Sequence, residues 1–312
     1  MADQRPFRFG VQLAAAASGG EWAETARKVE GLGYSSLHLP DHFGDQLAPL
    51  PAITAAAAAT TDLRVGILVL GNDYRHPVVL AKELATIDVL SDGRLEAGIG
   101  AGWMNTDYDQ SGIPHDPPGR RIERLQESIT ILKGLFGEGH FSFDGEHYVI
   151  AELDGLPKPV QEPWPPIMIG GGGRRVLRLA AREADIVSIN PRLRSGDVDA
   201  EAAADATALA TDQKLDWVRE AAGDRFDDIE LSMLVLVAAV TDDRDGFAEV
   251  MAGGFGVDPE AAKDVPHAWF GTVDEICDSL ESRRERWGVT YYVVQGDTYE
   301  AMAPVVERLA GR

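Results

Sequence analysis

The sequence predicts an α/β fold of the (β/α)8 TIM-barrel type, with insertions at the C-terminal face of the barrel. Three observations predict it. Short β-rich runs alternate with longer helical runs along most of the chain, as βαβ units of a parallel sheet do. Eight such strands follow one another with no break in composition, which a doubly wound sheet rarely accommodates. The 312 residues, 45% of them hydrophobic, suffice for one large core. Barrels of this type run from about 200 to more than 400 residues as one unit, so a single domain over 1–312 is expected.

The elements follow in order. Phe7 to Leu13 reads as the first strand, and Glu21 to Glu30 as an amphipathic helix stopping at Gly31-Leu32-Gly33. Ser35 to Leu39 is the second strand, ending at Pro40-Asp41-His42-Phe43. A helix over Pro51 to Thr60 leads to the third strand, Arg64 to Leu70. Pro77 suits the first turn of a helix reaching Leu90, because its fixed φ is already helical. The Ser91-Asp92-Gly93 turn then enters the fourth strand, Arg94 to Gly100. In the next segment Ile122, Leu125, Ile129, Leu132 and Leu135 recur at the spacing of one helical face, which places a helix over Arg120 to Phe136. Phe141 to Ile150 breaks the rhythm: Asp144-Gly145 is a favoured hairpin turn between two short apolar runs. The Pro-rich stretch up to Pro166 completes a first insertion, about 141–165.

Ile167 to Ile169 is the fifth strand, followed by four glycines and a helix to Glu183. Asp185 to Ile189 is the sixth. The polar stretch of about 191–228 reads as a second insertion, placed where such barrels carry active-site loops. Ile229 to Val240 is the seventh strand, and about 253–271 is a loop insertion. A helix over Val273 to Trp287, the eighth strand Thr290 to Gln295 and a closing helix over Thr298 to Ala310 complete the barrel.

Charge narrows the partners. A net charge of -22 argues against nucleic acid and against anionic membrane, both of which need a basic surface. It leaves room for a phosphate-bearing small molecule, which needs only a local cradle of N–H groups. The single cysteine, Cys277, forms no internal disulfide and reads as a packed apolar residue, as in a reducing cytoplasm. Met1 to Phe9 holds no signal-peptide core, and no run of about 18 apolar residues is present to span a membrane.

The candidate chemistry begins at Gly170-Gly171-Gly172-Gly173-Arg174-Arg175. A strand runs into glycines and a helix starts at once. Backbone without Cβ atoms admits a close ligand, and free N–H groups at a helix start attract an anion, with Arg174 adding charge. The Gly-Lys-Ser/Thr ending of a nucleotide P-loop is missing. At the mouth of the second strand, Asp41 stands beside His42, an imidazole that titrates near neutrality. Gly98-Ile99-Gly100-Ala101-Gly102-Trp103 ends the fourth strand, where alternate glycines admit something flat for Trp103 to stack on, or simply thin the strand for packing. His76, His115, His140, His147 and His267 lack metal-ligand spacing, so no metal site is expected.

Taken in order, these stretches, together with Phe9-Gly10-Val11-Gln12, Arg75 to Lys82, Leu90 to Leu95 and Gly119-Arg120-Arg121, resemble the bacterial luciferase-like monooxygenase superfamily. Gly102-Trp103-Met104 with Asp107-Tyr108, and Gly271 to Cys277, are most similar to its actinobacterial branch, many members of which use the deazaflavin coenzyme F420 rather than FMN. The resemblance implies a cofactor ring across the barrel mouth near His42 and a non-prolyl cis peptide behind it, here Leu68–Val69. It implies a phosphate at Gly171 to Gly173, and a homodimer. The best-known deazaflavin member type, a sugar-phosphate dehydrogenase, has a glutamate where Trp103 stands and a tryptophan near Gln46. Neither is present, which argues against sugar-phosphate oxidation.

The expected function is therefore an F420-dependent oxidoreductase passing hydride between the deazaflavin C5 and a small organic substrate, with His42 transferring the proton and Asp41 or a neighbour setting its state. The alternative is an FMN-dependent monooxygenase served by a separate flavin reductase. A barrel that binds no flavin is a third reading, against which the intact glycines and His42 argue. The expected cofactor contacts are Asp41, His42, Leu68, Val69, Gly100, Trp103, Gly170 to Gly173 and Arg174.

Overall fold

The computed structural model describes residues 5–197 and 199–312. The chain opens with β1 (Arg8–Gln12), α1 (Gly19–Gly31), β2 (Ser36–Leu39), α2 (Pro49–Ala59), β3 (Arg64–Ile67) and a two-residue β4 (Leu70–Gly71). Then come α3 (Pro77–Leu90), β5 (Leu95–Gly100), α4 (Asn105–Ser111), α5 (Pro118–Phe136), and the pair β6 (His140–Asp144) and β7 (Val149–Asp154). β8 (Ile167–Gly171), α6 (Arg174–Glu183), β9 (Ile186–Ile189), α7 (Ala200–Ala204), α8 (Ala208–Ala222) and β10 (Glu230–Val235) continue the series. It ends with β11 (Val237–Val240), α9 (Arg244–Phe255), α10 (Pro259–Lys263), β12 (Ala268–Gly271), α11 (Val273–Trp287), β13 (Tyr291–Gln295) and α12 (Tyr299–Leu309).

Eight of these strands, β1, β2, β3, β5, β8, β9, β10 and β13, pair in parallel, and pairing of β3 with β5 closes the ring. The helix signals act as their chemistry dictates. Ser18 accepts from the Glu21 amide to start α1, and Thr272 with Glu275 forms a reciprocal capping box at α11. The apolar stripe of α5 buries Leu125, Ile129, Leu132 and Leu135 against the barrel, each contributing about 1.5–3 kcal/mol of transfer free energy.

Four expectations change. The third strand is interrupted by the cis Leu68–Val69 bond, which separates β3 from β4. The seventh strand divides at Leu236. His267 is the cause: its carbonyl accepts from the Leu236 and Val237 amides at 2.8 and 3.2 Å, and its Nδ1 meets the Leu234 carbonyl at 2.8 Å. β10 stays in the barrel, while β11 leaves it to pair with β12, so the segment read as a loop over 253–271 carries α10 and a strand. In the stretch 191–228, α8 is the barrel helix between β9 and β10 and packs on α6; the part that departs from the barrel is the short stretch before it. The hairpin forms as β6 and β7, and the Glu127 carboxylate of α5 accepts from the amides of Glu146, His147 and Tyr148 at its turn.

The bottom of the barrel is polar. Glu96, 1% exposed, accepts from Arg8 at 2.7 Å, Arg64 at 2.8 Å and the Tyr291 hydroxyl at 2.9 Å. Burial alone would raise this carboxyl, but Arg8 and Arg64 hold it down at about 2. His38 lies one layer higher, wholly buried, with Nε2 2.6 Å from the Tyr291 hydroxyl. Burial keeps it neutral, its pKa pushed down to about 4. Charge at the closed end of the barrel reads as stability, because the loops that carry chemistry sit at the other end.

Candidate functional site at the barrel mouth

The mouth is built where β2, β3 and β5 end. β2 delivers Asp41 and His42, but the two do not act on one another. Asp41 takes both Arg75 guanidinium nitrogens, at 2.6 and 3.1 Å, and the Gly71 amide at 3.0 Å. It ties β2 to the β4 corner, so its assignment as the group that sets the state of His42 is corrected. The short acidic side chain is only two bonds long, and the bidentate arginine claims both of its oxygens.

The partner of His42 is Asp107 in the first turn of α4. Its Oδ2 lies 2.6 Å from His42 Nδ1 and accepts the Tyr74 hydroxyl at 3.1 Å, while its Oδ1 accepts the Phe43 amide at 3.1 Å. Asp107 is 3% exposed. Burial, and then the Asp107 charge, push the Tyr74 hydroxyl far above its ordinary value, so Tyr74 stays a donor. An acceptor-only carboxylate at Nδ1 places the proton there, and Nε2 is the ring nitrogen left for a ligand. No partner of Nε2 is present among the described residues. Trp103 meets the His42 ring edge-on at 5.4 Å. Gly102 (φ +75°) sets the path into Trp103: a Cβ there would lie 1.9 Å from the Tyr108 hydroxyl, and Arg121 binds the Gly102 carbonyl.

Next to the end of β2, where the Leu39 carbonyl accepts the Leu68 amide at 3.0 Å, lies the cis Leu68–Val69 peptide that the resemblance implied. Gln12 of β1 donates to the Leu68 carbonyl at 2.5 Å, and Gln295 of β13 donates to Gln12 at 3.2 Å. Val69 seats its side chain among glycines of two strands. A Cβ on Gly100 would lie 2.6 Å from Val69 Cγ2, and one on Gly170 3.2 Å from Val69 Cγ1. Packing thus explains Gly100 and Gly170: Val69, rather than a ligand, occupies their missing side chains.

The glycine run divides in the same way. The Gly171 space is filled by Val176, and the Gly172 space by the backbone of Asn190 to Arg192, whose nearest atom is 2.3 Å from the Cβ position. Gly173 alone keeps an open side: apart from its chain neighbours, the nearest atom is the Arg192 Cδ at 3.9 Å. Gly173 is the N-cap of α6, and no side chain satisfies the amides of the first turn. The Asn190 Oδ1 and Arg192 Nε atoms are buried without partners. Open amides and the unpartnered Arg192 Nε beside a vacant Cβ position fit a phosphate-bearing tail, whereas the Asn190 Oδ1, an acceptor, adds nothing to it. Arg174 faces Glu220 on the outer side, 3.6 Å away, and Arg175 pairs with Glu123 at 2.6 Å. A helix residue at the first position points away from the axis, which carries it past the amides.

Sequence reasoning alone does not find Asp107, Gln12, Tyr74 or Arg192. Asp107 lay inside the Gly102 to Tyr108 pattern, and its four-residue offset from Trp103 was the one available signal. Among the described residues no cluster of three or more His, Cys, Asp or Glu could hold a metal ion, and no helix is long and apolar enough to cross a membrane.

Comparison with known proteins extends this geometry. The family model described as luciferase-like monooxygenase matches residues 5–290. The FMNH(2)-dependent dimethylsulfone monooxygenase of Pseudomonas putida is 34% identical over 161 residues, 50% of this chain and 44% of that one. The F420-dependent glucose-6-phosphate dehydrogenase of Microbacterium testaceum is 30% identical over 189 residues, 58% of this chain and 55% of that one. The chain thus spans about half the length of both curated relatives. The coenzyme F420-dependent tetrahydromethanopterin reductase of Methanopyrus kandleri superposes with a TM-score of 0.77 over 97% of this chain and 98% of that one; at 19% identity it shows the fold alone.

Proposed function

This chain belongs to the luciferase-like monooxygenase family, and we propose that within it the protein is an F420-dependent oxidoreductase acting on a small organic substrate. The observation that carries the reading is His42, held by Asp107 with Nε2 left for a ligand, together with the cis Leu68–Val69 peptide. Similarity to the Microbacterium testaceum enzyme supports the choice of cofactor. A bound deazaflavin supplies or takes a hydride at its C5. The chain's own residues do the rest. The amides at Gly172 to Arg174 and the open side of Gly173 hold the phosphate end. Gln12 and Val69 keep the cis peptide in place. Trp103 walls the mouth against water. His42 Nε2 would give a proton to the substrate carbonyl or alkene, or take it in the reverse direction, and Asp107 would steady the imidazole while it changes charge.

Titrating the purified chain with F420 and with FMN, followed by fluorescence, tests the cofactor. Tight F420 binding is expected. A second reading, an FMN-dependent monooxygenase, is favoured by the similarity to the Pseudomonas putida enzyme. Tight FMN binding with none for F420 would establish it in place of the first. In either case His42→Ala should lower turnover far more than cofactor affinity, and unchanged turnover removes His42 from the chemistry.

A further inference from the structure

One buried ion pair has no part in the mouth chemistry. Lys214 of α8 is 1% exposed. Its ammonium bonds Asp205 Oδ2 at 2.7 Å, the Asp205 carbonyl at 2.7 Å and the Asn190 carbonyl at 3.0 Å. Burial lowers its pKa, with Asp205 opposing. A lysine withdrawn this far from water is a poor choice for stability alone, since an apolar side chain of the same length fills such a place without desolvating a charge. What the pair holds is specific. Asp205 Oδ2 accepts the Arg192 amide at 2.7 Å, and Asp205 Oδ1 lies 3.6 Å from the Arg192 guanidinium. The loop that Lys214 and Asp205 grip from both ends is the one that packs on Gly172. Its Arg192 side chain passes over Gly173, the open position of the run, with Nε buried and without a partner.

We propose that Arg192 is the cationic residue that binds the phosphate of the cofactor tail, and that Lys214 and Asp205 are positioning residues that hold it there. This rests on the cofactor reading above and names the residue that reads the anion. Arg174 and Arg175 stand nearer in sequence, but Arg175 is held by Glu123 at 2.6 Å and Arg174, 59% exposed, faces Glu220 on the outer side. Arg192 also has a carboxylate at 3.6 Å, but its Cδ lies 3.9 Å from the Cβ position of Gly173 and its Nε is buried without a partner, so its donors are at hand for a phosphate while Asp205 keeps the backbone fixed.

The test separates the phosphate from the ring. Wild type, Arg192→Gln, Lys214→Met and Arg174→Gln are each titrated with F420 and with its phosphate-free deazaflavin core, and with FMN and riboflavin. Arg192→Gln is expected to weaken the phosphorylated ligands about tenfold or more and leave the phosphate-free ones unchanged. Lys214→Met should move the same ratio in the same direction, and Arg174→Gln should leave it alone. A ratio unaltered in Arg192→Gln, or equal losses for both kinds of ligand, overturns the proposal. Should Lys214→Met fail to fold, Arg192→Gln decides alone, since its side chain is partly exposed and supports no core contact. Wild type that binds none of the four ligands overturns the cofactor reading and this proposal with it, whereas wild type that binds them and an indifferent Arg192→Gln overturns this proposal only.

Discussion

Acidification from pH 7 to pH 5 is expected to cost the fold about 4 kcal/mol, and two histidines account for it. His38 and His267 are wholly buried, and burial lowers each from 6.5 to about 4. Between those values the unfolded chain binds protons that the folded chain refuses, so acid favours unfolding, and the stability present above pH 6.5 is lost as pH falls towards 4. At pH 5 the linkage relation gives about 2 kcal/mol for each ring. Glu96 lies outside this window: its pKa is depressed from 4.5 to about 2, so its contribution is intact at pH 5 and fades only below about pH 4.5. Against a total stability of about 5–15 kcal/mol, a loss of 4 is readily measured. Urea unfolding at pH 7 and pH 5, at fixed ionic strength and followed by circular dichroism, should show a lower midpoint at pH 5 with the same slope. His38→Gln and His267→Gln should each remove about half of the difference, whatever they cost at pH 7. Equal stability of wild type at the two values, or an undiminished difference in the double variant, refutes the argument.

Other outcomes follow from the same contacts. Glu96→Gln leaves Arg8 and Arg64 facing one another without their shared carboxylate, and should cost about 3 kcal/mol or more in thermal or chemical melts. Gly98→Ala would set a Cβ 1.7 Å from the Ile67 carbonyl oxygen, so at least about 3 kcal/mol of destabilisation is expected, or no folded protein in expression trials. Asp107→Asn turns an amide N–H towards His42 Nδ1 and drives the imidazole proton to Nε2. Nitrogen NMR correlation spectra should show that tautomer change without substrate, and turnover should fall about 10- to 100-fold.

The barrel was legible because its strands and helices obey different periods, and each piece announces itself over ten residues or so. What sequence could not carry was contact across the ring. Asp41 beside His42 suggested a pair, yet backbone direction sends the two side chains apart: one meets Arg75, the other an aspartate 65 residues on. The glycines were recognisable as close approaches, but not what approaches them. Gly100 and Gly170 make room for Val69, and Gly172 for a loop, so only Gly173 remains of the run as an opening. The strand-like run from Ile229 to Val240 hid its break for a similar reason: the carbonyl that divides it belongs to His267, far along the chain.

The seat of Val69 has a consequence for engineering. A side chain lodged among glycines of β5 and β8 has few neighbours able to spread into its place on that side, because Gly98, Gly100 and Gly170 carry no side-chain atoms to spread. In an ordinary core, a shortened valine is partly forgiven as its surroundings relax inwards. Here Val69→Ala would leave a hollow walled largely by main chain, shaped by a single missing pair of methyl groups and lying at the mouth. That is a lock cut for a modified key: on the proposed cofactor reading, a ring analogue bearing one extra methyl towards Val69 would be admitted better by the variant than by the natural protein.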